Sequence, residues 1–194
     1  MRCWAGCLAG AMCLTVGCQT TVRQGARPGD QAPPPTAAEI DPTRVEARDD
    51  IFQIVPYWIE PIWLQRQDRI IGFKATVYFR SAQSNLGAFV SGDIFVWVYE
   101  LVPAPGGRWE RRLAHMWQFN QAQALGFRVR KRSIQGYFYG FLLTWPSTLA
   151  LEGKRVEIEF GYERADKRVV LSEPRQFRVP VPIGYTPATQ EARP

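Results

Sequence analysis

Apolar and polar residues alternate along residues 154–163 more regularly than anywhere else in the chain. The apolar positions are Val156, Ile158, Phe160 and Tyr162, and polar side chains stand at Arg155, Glu157, Glu159 and Glu163. Because successive side chains of a β-strand point to opposite faces, this pattern predicts a strand with one face in the core and one in solvent. Residues 74–80 predict a second such strand, with apolar residues at Ala75, Val77 and Phe79.

A different pattern occupies residues 93–101, where both alternating sets are apolar. One face would carry Ile94, Val96 and Val98, and the other would carry Phe95, Trp97 and Tyr99. A strand with two apolar faces is typical of a position in the middle of a sheet that is buried on both sides. The sequence therefore predicts a central strand that is covered on both faces.

Weaker strand patterns fill most of the remaining domain. They cover residues 51–55, 57–64, 109–119, 127–133, 137–145, 168–171 and 176–181, and residues 88–90 could add a short pairing segment. Residues 120–126 predict one or two helical turns, since Asn120 suits an N-cap and Gly126 suits a C-terminal stop. Allowing that some of these short segments do not form separate strands, seven to nine strands with one helical segment predict an all-β fold over residues 49–183. The expected architecture is an antiparallel β-sandwich of immunoglobulin-like or related type.

The amino terminus has a different character. Met1 and Arg2 precede an uncharged run at residues 3–16. A membrane-spanning helix needs roughly 20 apolar residues, so this run is too short to span a bilayer comfortably. Its length and position are typical of the apolar region of a secretory signal peptide, which predicts export.

The run ends in Leu14-Thr15-Val16-Gly17-Cys18, which resembles the lipobox of bacterial lipoproteins. Gly17 fills the small position before the cysteine, while Thr15 stands where that family usually has an aliphatic residue. The resemblance covers residues 1–18 and implies cleavage before Cys18, with a diacylglycerol on its thiol. The alternative is an ordinary signal peptide that carries cysteines, of which this segment has three more at Cys3, Cys7 and Cys13.

Residues 18–48 are rich in Pro, Ala, Gly and Thr and almost free of large apolar side chains. Such a segment buries too little surface to offset the entropy cost of ordering, so we expect a disordered tether. The polar residues 184–194 predict a disordered tail.

The net charge of +6 would favour an anionic partner, although basic residues that alternate with acids along strands and keep the surface soluble explain it better. The densest basic run contains Arg128, Arg130, Lys131 and Arg132, and it is the candidate patch for such a partner. In an exported protein the expected partner is an anionic glycan or a lipid headgroup, and no nucleic acid is expected. A solvated strand face, or charges that protect a sheet edge, is the alternative interpretation.

Catalytic and metal-binding patterns are weak. The chain has one histidine, His115, and no cysteine after Cys18, so we expect no metal site, no cofactor and no nucleophilic triad. Glu157 and Glu159 could form the carboxylate pair of a glycoside hydrolase, or they could simply be exposed strand acids opposite basic neighbours. We assign no catalytic residue.

These patterns together predict a lipid-anchored protein of the bacterial cell envelope, with its domain in the periplasm or at the cell surface. The domain resembles uncharacterised envelope β-sandwich domains. The expected role is a non-catalytic binding or structural module, held on the membrane through Cys18 and able to bind an envelope protein or an anionic glycan. The alternatives are an accessory subunit of an envelope complex and an envelope enzyme that acts on glycans.

Overall fold

The computed structural model describes residues 39–184. Four predicted features lie outside this range: the signal peptide, Cys18, most of the tether and the tail beyond residue 184. Within this range the chain forms ten strands and one short α-helix: β1 (Ile51–Pro56), β2 (Ile62–Arg66), β3 (Arg69–Ser81), β4 (Gly87–Ala88), β5 (Asp93–Pro103), β6 (Trp109–Phe119), α1 (Gln121–Ala124), β7 (Tyr139–Thr144), β8 (Arg155–Glu163), β9 (Val169–Leu171) and β10 (Arg175–Arg178).

Sheet A is built around the long strand β3, and every pairing in it is antiparallel. Strands β1 and β2 pair with the two halves of β3 along one edge, while β4 and β7 pair along the other. Pro56 and Pro61 explain the break between β1 and β2, because proline has no backbone N–H to donate to a ladder. The two short strands are thus one edge that is interrupted by a kink.

Sheet B has the strand order β10-β8-β5-β6, with β9 also on β8, and it is likewise antiparallel. Strand β8 pairs with β5 on one side and with both β9 and β10 on the other. The gap between β9 and β10 contains Pro174, so this edge is also interrupted. Strand β5 therefore lies inside the sheet, as predicted.

One hydrophobic core joins the two sheets. Phe73, Phe79, Tyr139 and Phe141 enter it from sheet A, and Ile94, Val96, Ile158 and Phe160 enter it from sheet B. The rings of Phe141 and Phe160 meet across the core with centroids 5.9 Å apart. The predicted all-β antiparallel sandwich is confirmed, and the alternation along β8 places Val156, Ile158, Phe160 and Tyr162 inside.

The helical prediction is also confirmed. The Asn120 side chain accepts a hydrogen bond from the Gln123 backbone, and the Gln123 side chain accepts one from the Asn120 backbone, which completes a capping box before α1. A 3₁₀ turn follows at Leu125–Phe127. The prediction of a strand over residues 127–133 is wrong, because only isolated bridges interrupt an otherwise irregular backbone there.

Residues 39–48, which the sequence assigns to the tether, lie against the sandwich. The backbone N–H of Arg48 donates to the carbonyl of Phe89 at 2.7 Å, and that of Ile40 donates to Arg130 at 2.7 Å. The Asp49 carboxylate then accepts a hydrogen bond from the buried Tyr162 hydroxyl at 2.8 Å. The folded part of the chain consequently begins before residue 49.

Candidate functional site

The second face of β5 differs from the prediction. Phe95, Trp97 and Tyr99 alternate with the core residues as predicted, yet they are only partly buried. The prediction that both faces of this strand are covered is wrong, because no further layer of the described residues packs on this side of sheet B. This side of sheet B therefore carries a row of three partly exposed aromatic rings.

Apolar neighbours extend this row onto the strands beside it. Leu113 lies opposite Tyr99, Met116 opposite Trp97, and Leu171 opposite Gly161. Their exposed fractions are 54%, 44% and 52%. Directly paired residues share one face of a sheet. We call this surface the outer face, and it comprises Phe95, Trp97, Tyr99, Arg111, Leu113, Met116, Glu157, Glu159, Gly161 and Leu171.

Gly161 shapes the middle of the outer face. A Cβ atom at this position would lie 2.6 Å from both Cη2 and Cζ3 of Trp97, so only glycine leaves room for the indole against β8. The Trp97 ring also stacks on Phe95, with centroids 5.5 Å apart and planes 5° apart. The two rings are consequently held in one arrangement, although they remain accessible to solvent.

Arg111 bridges three strands across the outer face. From β6 it passes over the Tyr99 ring, with its guanidinium carbon 4.0 Å from the ring centroid. Its Nε then lies 2.9 Å from Oε1 of Glu157, and its Nη2 lies 2.9 Å from Oε2 of Glu159. Burial acts to lower the pKa of Arg111, but the Glu159 hydrogen bond and the two carboxylate charges outweigh it and raise that pKa.

This geometry defines the role of the two carboxylates. The side chains of Glu157 and Glu159 are only 9% and 11% exposed, so they are far more enclosed than ordinary strand acids. Gln176 donates a further hydrogen bond to Glu157 Oε2 at 3.0 Å. Both carboxylates are thus paired with one arginine, and these ion pairs hold the three charged groups in defined positions on the outer face.

At one end of the outer face, Arg155 of β8 and Arg178 of β10 are directly paired across the two strands. The Arg155 guanidinium lies 4.9 Å from the ring centroid of Trp109, and Arg178 Nε donates to the Gly153 carbonyl at 3.1 Å. Both arginines line a surface hollow of about 460 Å³, together with Trp109 and Lys154. We call Arg155 and Arg178 the arginine pair.

The basic run that the sequence singled out is divided by the fold. Arg128 is buried, and its Nη1 donates to the carbonyls of Pro42 at 2.9 Å and Val45 at 3.2 Å. Arg130, Lys131 and Arg132 are exposed, and Arg130 pairs with Glu39 at 3.5 Å. The irregular backbone of this segment turns Arg128 toward the core, so its charge holds residues 42–45 and is not displayed with the other three.

The remaining candidate groups have structural surroundings. His115 is partly buried against Trp117, with ring centroids 4.4 Å apart, and this burial lowers its pKa. Within residues 39–184, no group of three or more His, Cys, Asp or Glu side chains is placed to hold a metal ion. In the same range, no helix is both long and apolar enough to cross a membrane.

Sequence reasoning missed the exposure of the aromatic row and the arginine pair. The alternation along β5 located Phe95, Trp97 and Tyr99 on one face, but it carried no information on what covers them. The pairing of Arg155 with Arg178 depends on the register between β8 and β10. Only the position of Arg155 on the polar face of β8 was available from the pattern.

Comparisons with known proteins give no family. No protein-family model matches the sequence, and no curated protein matches it. Among solved structures, the fold is similar to part of a chain described as "Crystal structure of MtrC from Shewanella baltica OS185". The TM-score is 0.40 at 10% sequence identity, over 69% of this chain and 23% of that chain. A likeness this weak carries no functional argument.

Proposed function

We propose that this protein is a lipid-anchored, non-catalytic binding module of the bacterial cell envelope, and that it binds its partner through the outer face of sheet B. The observation that carries this proposal is the partly exposed row of Phe95, Trp97 and Tyr99 on a central strand. A central strand with three partly exposed aromatic rings on its outer side leaves part of each ring accessible to a partner.

The composition of the outer face supports binding. Aromatic rings supply most of the energy of many protein interfaces, and a border of charged groups favours the correct partner. Here the rings are surrounded by Leu113, Met116 and Leu171, and the charges are fixed by the Arg111 contacts to Glu157 and Glu159. The stacked rings of Phe95 and Trp97 and the paired Arg111 have little side-chain freedom to lose on association, which favours affinity.

The attachment to a membrane rests on the sequence. The uncharged run at residues 3–16 and the lipobox-like Leu14–Cys18 support export and a diacylglycerol on Cys18. One acyl chain gives marginal membrane binding, whereas the two or three of a mature bacterial lipoprotein give stable anchoring. Residues between Cys18 and the domain would then hold the outer face clear of the bilayer.

Labelling with radioactive palmitate in a bacterial host tests the anchor. The Cys18→Ser variant should lose the label and leave the membrane fraction. Cys13→Ser is the matched control, because Cys13 lies before the expected cleavage site and its loss should leave both the label and the location unchanged. Retention of label by Cys18→Ser would contradict the lipoprotein proposal.

Site-specific photo-crosslinking in intact cells tests the binding face. A photoreactive phenylalanine analogue at Met116 should give a discrete higher-mass product. The same analogue at Leu142, which is 57% exposed on sheet A, is the control and should give none. Equal products from both positions, or none from Met116, would rule out the outer face. Identification of the product separates a free-standing binder from an accessory subunit that stays in a stable complex.

A further inference from the structure

The arginine pair has an unusual electrostatic arrangement. Arg155 and Arg178 are direct cross-strand partners, and like charges in such positions repel each other and destabilise a sheet. Among the ion pairs of the described residues, none includes either arginine. Two arginines at directly paired backbone positions, which line the same two surface hollows, therefore have no acidic partner in residues 39–184.

Two carboxylates that lie nearby are already bound to other groups. Glu157, the next residue along β8 on the same face, is held by Arg111 and Gln176. Glu100, in the lining of the hollow, is paired with Arg112 and Lys154. Glu157 and Glu100 are thus engaged by other cations, and Glu110 at the same end of sheet B forms an ion pair with neither arginine within residues 39–184, which leaves the positive charge of the arginine pair for a group outside the chain.

Both guanidinium groups are held in place by contacts that leave hydrogen-bond donors free. Arg155 is fixed by its position over the Trp109 ring. Arg178 uses its Nε for the Gly153 carbonyl, and no other hydrogen bond from its guanidinium group is found within residues 39–184. Guanidinium groups bind the oxygens of carboxylate, phosphate or sulfate by paired hydrogen bonds, and fixed side chains lose little entropy when they do so.

The shape of the surface indicates an elongated ligand. Arg155 and Arg178 both line the hollow of about 460 Å³ beside Trp109. They also line a second hollow of about 350 Å³, together with Gln176 and Phe177. The arginine pair therefore lies between two adjoining depressions. A linear polymer could continue from one depression into the next, whereas an isolated ion would fill neither.

Trp109 adds a selective feature. Its side chain is 49% exposed and forms part of the wall of the larger hollow. An indole presents a flat apolar surface with a polar edge, which suits the apolar face of a sugar ring. A linear ligand with sugar rings and oxyanions matches the hollow, the ring and the arginine pair together.

We infer that Arg155, Arg178 and Trp109 form a subsite for an acidic polysaccharide, in which the arginine pair binds an oxyanion of the chain and Trp109 contacts a sugar ring. This inference rests on the proposed function, because the subsite lies at one end of the proposed binding face. It narrows the class of partner from any envelope component to an anionic glycan.

Isothermal titration calorimetry of the full chain in neutral detergent, with a defined oligogalacturonate, tests the inference. The wild-type protein should bind this oligosaccharide and not its methyl-esterified, uncharged counterpart. Arg155→Gln and Arg178→Gln should each weaken binding by about 10-fold, as expected for the loss of one charge-assisted pair. Trp109→Ala should weaken it as well.

Arg175→Gln is the matched control. It removes the same charge from the same strand, β10, but Arg175 already pairs with Glu173 at 3.4 Å, so the affinity should change by less than about 2-fold. Circular dichroism of each variant checks that the fold is intact. An equal loss in all three arginine variants would show unspecific charge attraction and overturn the subsite.

Two further probes decide the class of ligand. Vesicles that contain an anionic phospholipid, or single-stranded DNA, should bind more weakly than the oligogalacturonate and should not depend on Trp109. Tighter binding of either probe, with the same dependence on the arginine pair, would overturn the glycan assignment. If no oligosaccharide binds while Met116 still crosslinks to a partner, the subsite is excluded and the proposed function survives. If the oligosaccharide binds while Met116 gives no product, the subsite stands and binding through the aromatic row is excluded.

Discussion

The guanidinium of Arg111 lies 4.0 Å from the ring centroid of Tyr99. This contact carries the arginine over β5, so that a residue of β6 reaches the two carboxylates on β8. The same contact places a charged group over the Tyr99 ring, which, like Phe95 and Trp97, is only partly buried. One side chain therefore fixes both the charge and the accessible apolar area of the outer face.

Replacement of Arg111 by Met should lower the free energy of unfolding by about 2–4 kcal/mol, because two enclosed carboxylates would lose their shared partner. Chemical denaturation measures this change. The control is Arg112→Met, whose side chain is 64% exposed and whose loss should cost less than about 1 kcal/mol. Adding Glu157→Gln and Glu159→Gln to the Arg111→Met variant removes the two unpaired charges. If these additions do not restore the free energy of unfolding, the loss in Arg111→Met does not arise from unpaired charge.

Local sequence patterns predicted much of this architecture, and the features they missed depend on contacts between distant parts of the chain. A period of two identifies which residues share a face, so the core side of β8 and the cap at Asn120 were predicted from local patterns. The exposure of Trp97 depends on whether another layer packs over it, and no local pattern encodes that. The burial of Arg128 depends on carbonyl groups of Pro42 and Val45, more than 80 residues earlier in the chain.

The contact between Gly161 and Trp97 gives a second prediction. In Gly161→Ala the new methyl group would meet the indole at 2.6 Å and displace it. Since this end of the side chain can move into solvent, the free energy of unfolding should fall by less than about 1.5 kcal/mol. The fluorine resonance of Trp97 in fluorotryptophan-labelled protein should shift. Gly126→Ala, where a Cβ has no neighbour within 4 Å, should leave this resonance in place.

The carboxylate of Asp50 should make stability depend on acid pH. Burial acts to raise its pKa, but hydrogen bonds from Ser81 and Gln83 and the charge of Arg48 outweigh this effect and lower the pKa to about 2. A lowered pKa means that the stabilisation is complete above the ordinary value of 3.8 and is lost as the pH falls through about 4 to 2.

Asp50→Asn measures this contribution. Because the side chain is 34% exposed, solvent screening limits the difference from wild type to about 1 kcal/mol at pH 7. The difference should shrink as the pH is lowered from about 4 to 2. A difference that stays constant over this range would show that the Asp50 charge contributes no stability.

Arg128 should control the attachment of residues 39–48. Arg128→Gln removes the donors to Pro42 and Val45 and leaves those carbonyls without their partner. We expect faster hydrogen exchange at the amide of Arg48, which donates to Phe89, with little change in the core strands. Arg130→Gln is the control, because its pair with Glu39 is exposed and long at 3.5 Å. Equal exchange in both variants would assign the attachment to other contacts.

The arginine pair predicts a conflict between stability and binding. Arg178→Glu places an opposite charge across from Arg155, and a favourable cross-strand pair should raise the free energy of unfolding by about 0.5–1 kcal/mol. Thermal or chemical denaturation without ligand measures the gain, which should decrease at high salt because both groups are exposed. The same variant should lose affinity for the anionic oligosaccharide, since the new carboxylate would occupy the place of the ligand.

If Arg178→Glu instead destabilises the domain and leaves binding unchanged, the two arginines do not repel each other and do not form a subsite. A residue whose replacement improves the fold while it abolishes binding is retained for binding, and this paired outcome distinguishes a ligand site from a merely solvated strand end.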